Sequence, residues 1–531
     1  MYNNEKLFKE DIIIMSKYTE IVDKYLNRDD ISRHNSNLVY SLPALNSTLY
    51  GEASKEYWFE KVYPSYANKL HEEGWLYIHN LSILGPYCSG YSAEDIAMKG
   101  LNSTAVNGLK TAPPKHVHSL LGQCSNFIAL ISQEIHGACA INDITTVVSA
   151  YLFVERELLN RNVDYQDLIN AWQHFIFEIN VPFRAGNSSF SNITMAFGGP
   201  DAALKDDFIV FGGEHLIKNT VIRSGNTEIK LDRDYKYSDV PAKYYDEVNK
   251  AFIETFAKGD NSGKPFSFPL ITVNITDNFD FDNEIFNMLL EEMDKWGGVY
   301  FENYRTKPFL EDSKYKQLNK YIKARNMEMQ KSFCCRFQVS LEDILKINSG
   351  IFRSGSGVGG VGVFNINLNR IGYIAQGDWD IYFTILDDLM EKAEELAQAK
   401  RCFIEAHKEL YPYFFFYNQS LDSYFNVISI CGGHESLMNM GYSKGLLSED
   451  GIVAATKIGD FMCKKVNALI KRDNVPINLE YAPSESAAPK MAKADLSFQK
   501  WIENEMQPED KFSFFKDIIK QQYEKGVFFE D

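Results

Sequence analysis

GVFNINL (362–368) is a short, nearly continuous apolar run of the kind that forms a buried β-strand. FPLITVNIT (268–276) and FNVISIC (425–431) are runs of the same type. Between such runs helical periodicity takes over. In ILDDLMEKAEELAQAK (385–400) the apolar positions Leu386, Leu389, Met390, Ala393, Leu396 and Ala397 recur at three and four residues. Helices alternating with short buried strands predict an α/β architecture. No internal repeat and no Pro- or Ser-rich linker divides the chain. The polar stretch from about Asp201 to Asn261 reads as an excursion from the core, and Leu496 to Asp531 as charged helix with aromatic anchors at Trp501, Phe512, Phe514 and Phe515.

With 531 residues and 45% hydrophobic content, the chain can bury one very large core or two to three ordinary ones. Mean hydropathy is -0.29, and charges interrupt every apolar run well short of the ~18 residues a membrane span needs. The opening MYNNEKLFKEDIIIMSKYTE has an apolar patch only at Ile12 to Met15, with acidic residues before it, unlike a secretory leader. A cytoplasmic location is the expectation. The net charge of -17, without long like-charge blocks, argues against a surface for polymeric nucleic acid, which needs clustered Lys and Arg. A small anion remains compatible, because helix N-termini and backbone amides can hold phosphates on an acidic protein. None of the eight cysteines forms a C-x-x-C pair, so a zinc ribbon is not supported.

The informative feature is an ordered series of motifs. NSNLVYSLPALNSTLYGEASKEYWFEKVYP (35–64) and HEEGWLYIHNLSILGPYCSGYS (71–92) come first, then PPKHVHSLLGQCSNF (113–127), EIHGACAINDITT (134–146) and FEINVPFRAGNSSFSNIT (177–194). GKPFSFPLITVNIT (263–276), KSFCCRF (331–337), GVGVFNINLNRIGY (360–373), ISICGGHESLMNMG (428–441) and INLEYAPSESAAPKMAKAD (477–495) follow. In this order they resemble the motifs of oxygen-independent (class III) ribonucleoside-triphosphate reductases of the glycyl radical enzyme superfamily, over roughly Asp30 to Asp495. The resemblance implies a ten-stranded α/β barrel surrounded by helices, with a central finger loop carrying KSFCCRF at its tip. It divides the chain into an N-terminal extension over 1–30 without an ATP-cone, a reductase barrel over 31–495, and a helical tail over 496–531 in place of the glycyl radical domain. It also implies thiyl radical chemistry on ribonucleoside triphosphates.

Removing a 2′-hydroxyl starts with abstraction of the 3′-hydrogen, for which a cysteine thiyl radical at a dry, positioned site is suited. Cys335 matches the family's thiyl position, directly before Arg336. An arbitrary Cys-Cys pair more often packs one thiol in the core, and Cys334 stays open between packing and a second redox role. Cys88 in GPYCSGY matches the cysteine that serves the opposite substrate face. The remaining reductant is formate or a protein dithiol in this family, and the sequence does not divide them; Cys431 is a speculative partner thiol or a core residue. Glu435 falls in the family's Gly-x-x-Glu segment, but His434 stands where an amide residue is usual, so an acid/base role and a solvated surface role both stay open.

APSESAA (482–488) resembles the family's phosphate segment, pointing to Ser484, Ser486 and Ala487; an ordinary capping box would use the same residue types. Asn187, Ser188 and Ser189 are further candidates for touching the nucleotide. Gly355 to Gly360 spell G-x-G-x-x-G but precede a strand, whereas a dinucleotide fingerprint follows one, so flexible backbone beside the finger loop is expected. His116 and His118 could chelate a metal at i, i+2 spacing, but fitting carboxylates are lacking nearby, and packing or hydrogen bonding is the reading for both and for His79. No metal is expected.

The 36 residues after Asp495 contain no cysteine, and their only glycine, Gly526, lacks the Arg-Val-x-Gly-Tyr context of the family's radical loop. The expectation is a glycyl radical supplied in trans by a small second subunit, formed by a radical SAM activase, with this chain as a homodimer that could retain an effector site at its interface. The alternative is a catalytically silent nucleotide-binding homologue acting as regulator or dimer partner. Whether the radical segment is a separate chain, lost or removed is open at this level.

Overall fold

The computed structural model describes residues 17–27, 40–182, 186–224, 227–277, 279–294, 297–305, 330–332, 338–340, 357–482 and 484–505. The strands that carry the architecture are β1 (Leu76–Ile78), β2 (Cys88–Tyr91), β3 (Cys139–Ile141), β4 (Ser191–Met195), β5 (Leu270–Ile275) and β6 (Val299–Asn303), then β7 (Gln330–Ser332), β8 (Gln338–Ser340), β9 (Val358–Asn367), β10 (Tyr424–Cys431) and β11 (Ile477–Glu480). The principal helices are α1 (Val117–Glu134), α2 (Tyr165–Asn180), α3 (Leu368–Ala375), α4 (Trp379–Ala406), α5 (Gly433–Asn439), α6 (Glu449–Asp473) and α7 (Ala487–Glu505). The three apolar runs singled out from the sequence are β5, β9 and β10, and the periodic stretch at 385–400 lies inside α4. The architecture is α/β, as expected.

The chain forms two compact units. One comprises Met1–Ala53, Ser89–Val358 and Glu409–Gln419. In it Ser89 to Tyr91, β3, β4, β5 and β6 pair in parallel in chain order. Parallel strands need covering on both faces, and β3 and β4 are buried along their whole length. Helices α1 and α2 pack on each other, α2 opening with a reciprocal cap between Asp164 and Asp167. The stretch expected as a polar excursion is mixed. Two short hairpins pair Val210 with His215 and Val221 with Lys230, but Ala242–Ala257 is a helix that buries Tyr244, Tyr245, Val248 and Phe252. Average polarity hid an amphipathic helix there, because its charged residues occupy one face only.

The other unit comprises Ser54–Cys88, Gly359–Lys408 and Ser420–Asp531. Here β1 pairs antiparallel with β9, and β9, β10 and β11 run parallel. Phe364, Ile366, Ile428 and Ile430 pack with Leu386, Leu389, Met390 and Leu396 of α4 in one hydrophobic core. Truncating one of these fully buried leucines to alanine costs about 2–5 kcal/mol. Because side chains alternate across a strand, the other face of β9 and β10 presents the register pairs Val363 with Val427, Asn365 with Ser429, and Asn367 with Cys431. Strand β9 ends where the Asn367 side chain accepts a hydrogen bond from the Arg370 amide and caps α3. Helix α7 continues through Asp495 to Glu505, so the boundary expected at 495/496 falls within a helix. Among the described residues no helix is long and apolar enough to cross a membrane.

Candidate functional site

Cys88 is 1% exposed and lies at the first position of β2, following Tyr87, whose amide donates to the Gly360 carbonyl at 2.9 Å. The glycines of β9 permit this approach. A Cβ on Gly359 would sit 2.0 Å from the Cys88 carbonyl oxygen and 2.6 Å from the Tyr424 ring, and one on Gly360 would meet Cys88 Sγ at 3.8 Å and Val427 at 3.5 Å. The expectation of flexible backbone is corrected here: Gly359 and Gly360 are buried strand residues, kept small because another backbone passes against them. The thiol therefore stands beside Gly360, on the strand face that carries Val427 and continues to Asn365 and Ser429.

Towards the C-terminal ends of β9 to β11 that face becomes polar. Asn365 Nδ2 donates to Ser484 Oγ at 3.1 Å, Ser484 Oγ donates to the Ala482 carbonyl at 3.0 Å, and the Ala482 amide donates to Ser429 Oγ at 2.9 Å. Ser484 thus faces the strands and not the first turn of α7, while its carbonyl accepts from the Ala488 amide at 2.8 Å. Ala487, the first residue of α7, is fully buried, and Ser486 is exposed and hydrogen-bonds Tyr77, whose phenol burial pushes above its usual range. The mouth of a parallel sheet beside the start of a nineteen-residue helix is a place where a phosphorylated ligand finds backbone amides and hydroxyls.

Cys431, half-buried at the end of β10, is pushed up by burial and hydrogen-bonds Ser484. It lies six residues past Phe425, the partner of the Gly360 beside which Cys88 stands, or ~20 Å along the strand, well beyond the ~4–7 Å Cα separation a disulfide requires, so it is not the disulfide partner of Cys88. Nor is it a core residue, the other reading from the sequence. Glu435 is exposed in the first turn of α5, one residue after His434, whose Nδ1 accepts from the Leu446 amide at 3.2 Å.

Cys334 and Cys335 lie outside the described residues. What precedes and follows them is described: β7 and β8 pair antiparallel, Gln330 with Ser340 and Ser332 with Gln338, so residues 333–337 join two paired strands. Ser188 and Ser189 are committed within the first unit, Ser188 Oγ donating to the Asn180 carbonyl at 2.9 Å and Ser189, fully buried, meeting Ser132 Oγ at 3.2 Å. Asn187 is half-buried beside them. The structure brings Cys88, Cys431 and Ser484 into one unit with Asn365 and Ser429, two residues that sequence reasoning passed over; the signal was the alternation Phe-Asn-Ile-Asn in β9.

A cleft of about 860 Å³ in the first unit is lined by His116, His118, Glu155 and His174, but its histidines are engaged otherwise. His116 Nδ1 lies 2.8 Å from Glu155 Oε1, Arg161 joins the same carboxylate at 3.1 Å, and His118 meets the His174 ring at 5.2 Å. Among the described residues no group of three or more His, Cys, Asp or Glu could hold a metal ion. His79 is held neutral, burial pushing it down to about 4, with its ring against Tyr77.

The family model of anaerobic ribonucleoside-triphosphate reductase matches residues 34–523. A curated relative, the anaerobic ribonucleoside-triphosphate reductase of Haemophilus influenzae, is 20% identical over 203 residues, which cover 34% of this chain and 28% of that protein. The match thus spans little more than a quarter of the relative. Among solved structures, the anaerobic ribonucleotide reductase from Thermotoga maritima with glycerol in the active site superposes with a TM-score of 0.66 at 16% identity, over 90% of this chain and 74% of that one. The same enzyme in complex with dATP and CTP gives 0.64 at 18% identity, over 94% and 79%. At these identities the likeness establishes the fold.

Proposed function

Because this chain belongs to the anaerobic ribonucleoside-triphosphate reductase family, we propose that it reduces ribonucleoside triphosphates to deoxyribonucleotides by thiyl radical chemistry. The observation that carries the proposal is the placement of Cys88: a buried thiol on a glycine-cleared strand face that leads directly to the Ser484 segment at the start of α7. In this reading Cys335, in the segment of sequence between β7 and β8, takes the 3′-hydrogen of the ribose. Cys88 donates the proton with which the 2′-hydroxyl leaves as water and one of the two electrons the reduction consumes, formate or a protein dithiol supplying the other, and Cys335 returns its hydrogen to the 3′-carbon. Ser484, Ser486 and Ala487 hold the phosphates at the helix start, and Cys88 is kept from water by burial. Further roles in this reading are a second redox thiol for Cys334, an acid/base group for Glu435 and contacts to the nucleotide for Asn187, Ser188 and Ser189.

A glycyl radical, when supplied, would take the hydrogen atom of the Cys335 thiol and leave the thiyl; no Arg-Val-x-Gly-Tyr sequence occurs among these 531 residues. We read its carrier as a small second polypeptide loaded by a radical SAM activase, with the present chain as a homodimer. Anaerobic reconstitution with candidate radical-bearing partners, followed by electron paramagnetic resonance and product analysis, tests this. Deoxynucleotide formation by the wild type, abolished in Cys335→Ala and in Cys88→Ala with folding retained, is the expected result. Nucleotide binding without turnover under every reconstitution would favour a silent regulatory homologue instead.

A further inference from the structure

Asn365 is fully buried, and its Oδ1 has no hydrogen-bond partner among the described residues. The orientation of this amide follows from its neighbours. The Ser484 hydroxyl has one proton, and it is directed to the Ala482 carbonyl at 3.0 Å; its oxygen therefore accepts from its other neighbours, Cys431 and Asn365, which turns Asn365 Nδ2 towards Ser484 at 3.1 Å and leaves Oδ1 as the free end. A buried acceptor without a donor costs about 1–3 kcal/mol, so such groups are almost always satisfied by something. The acceptor needs an O–H or N–H group. It does not suit a phosphate, whose oxygens are themselves acceptors.

Its position identifies the donor. Asn365 is in register with Ser429, four residues beyond Phe425, the partner of the Gly360 beside which Cys88 stands, or ~13 Å along the strand, and it bonds directly to the phosphate segment through Ser484. It therefore lies between the thiol that serves the reacting carbons and the residues that take the 5′-phosphates. The part of a nucleotide between those two points is the sugar. We propose that Asn365 Oδ1 accepts a hydrogen bond from a ribose hydroxyl of the bound nucleotide and is a specificity-determining residue for ribose over sugars lacking hydroxyls. This rests on the proposed nucleotide site and adds a function to a residue that family motifs did not single out.

The test is binding, without turnover, of ribonucleoside 5′-triphosphates and their 2′-deoxy, 3′-deoxy and 2′,3′-dideoxy counterparts to the full chain by calorimetry, taking as this site the binding that weakens in Ser484→Ala. The wild type should prefer the ribonucleotide over the dideoxy analogue by about tenfold, the equivalent of one well-placed hydrogen bond. Asn365→Ala should lose that preference, and Asn365→Asp, which keeps an acceptor there, should retain it even if overall affinity falls. Equal binding of ribo and dideoxy forms by the wild type, or an undiminished preference in Asn365→Ala, overturns the inference while leaving the reductase reading standing. Absence of any Ser484-dependent triphosphate binding overturns both. If Asn365→Ala does not fold, loss of the preference in a folded Asn365→Asp overturns the proposal and its retention supports it.

Discussion

Gly359 shows how little latitude the site allows at the scale of one residue. A single added methyl group would lie 2.0 Å from the Cys88 carbonyl and 2.6 Å from the Tyr424 ring, and the first of these is backbone that cannot rotate away. Gly359→Ala is expected to push β9 from Cys88, lowering stability by about 1–3 kcal/mol or more. Thermal unfolding of the variant beside wild type reads the stability, and the rate of Cys88 alkylation under native conditions reads the opening. Unchanged melting and unchanged protection of the thiol would mean that the close approach is not what holds Cys88. By contrast, Glu435 is exposed in the first turn of α5, while Cys431 is half-buried and held to Ser484.

At the scale of the element, α4 combines an apolar face with polar groups buried against the sheet. Lys400 is 1% exposed, its methylene chain lies against Gly362, and burial pushes its amine down to about 7. On the same helix Glu394, fully buried, accepts from Gln398 and Asn426, and burial raises it to about 7. Arg401 ties the helix to the Leu421 and Tyr424 carbonyls. For Lys400 the sign runs one way: its folded pKa lies below its unfolded value, so between about pH 7 and 10 the unfolded chain binds a proton that the native chain does not, and stability rises with pH. Lys400→Met should flatten that dependence by about 1.4 kcal/mol per pH unit in this window. Urea unfolding at several pH values between 7 and 10 measures it, and parallel slopes for variant and wild type would contradict the assignment of a neutral buried amine. Glu394 has the opposite sign, its contribution falling as pH rises from about 4.5 to 7.

Across the whole molecule, distant segments of one unit are joined by few polar contacts of high consequence. Arg370, at the start of α3, meets Asp495 of α7 at 2.6 Å, and the same carboxylate accepts from Asn367 at 3.0 Å and Asn369 at 2.8 Å. The guanidinium also lies 4.2 Å from the centre of the Phe498 ring. With Arg370 2% exposed, removing its partner leaves a buried charge uncompensated. Asp495→Ala should therefore cost about 3–5 kcal/mol, read as a lower urea midpoint, and should loosen α7 and the Ser484 segment before it. Hydrogen exchange at Ala487 and Ala488 that stays as slow as in wild type would show that α7 is held by its apolar face alone.

The sequence alone determined the α/β class, the strands at 268–276, 362–368 and 425–431 and the long helix through 385–400, because those signals are local: periodicity and apolar runs are properties of neighbouring residues. The order of its motifs also carried the family and singled out Cys88 and Ser484 as candidates. It could not assign Asn365 or Ser429, nor explain Gly359. A strand residue's role depends on which face it presents and what lies opposite, and these are decided only when residues 119 positions apart, such as Asn365 and Ser484, meet. Tertiary structure likewise separated Cys88 from Cys431, since a spacing along paired strands has no counterpart in the linear chain.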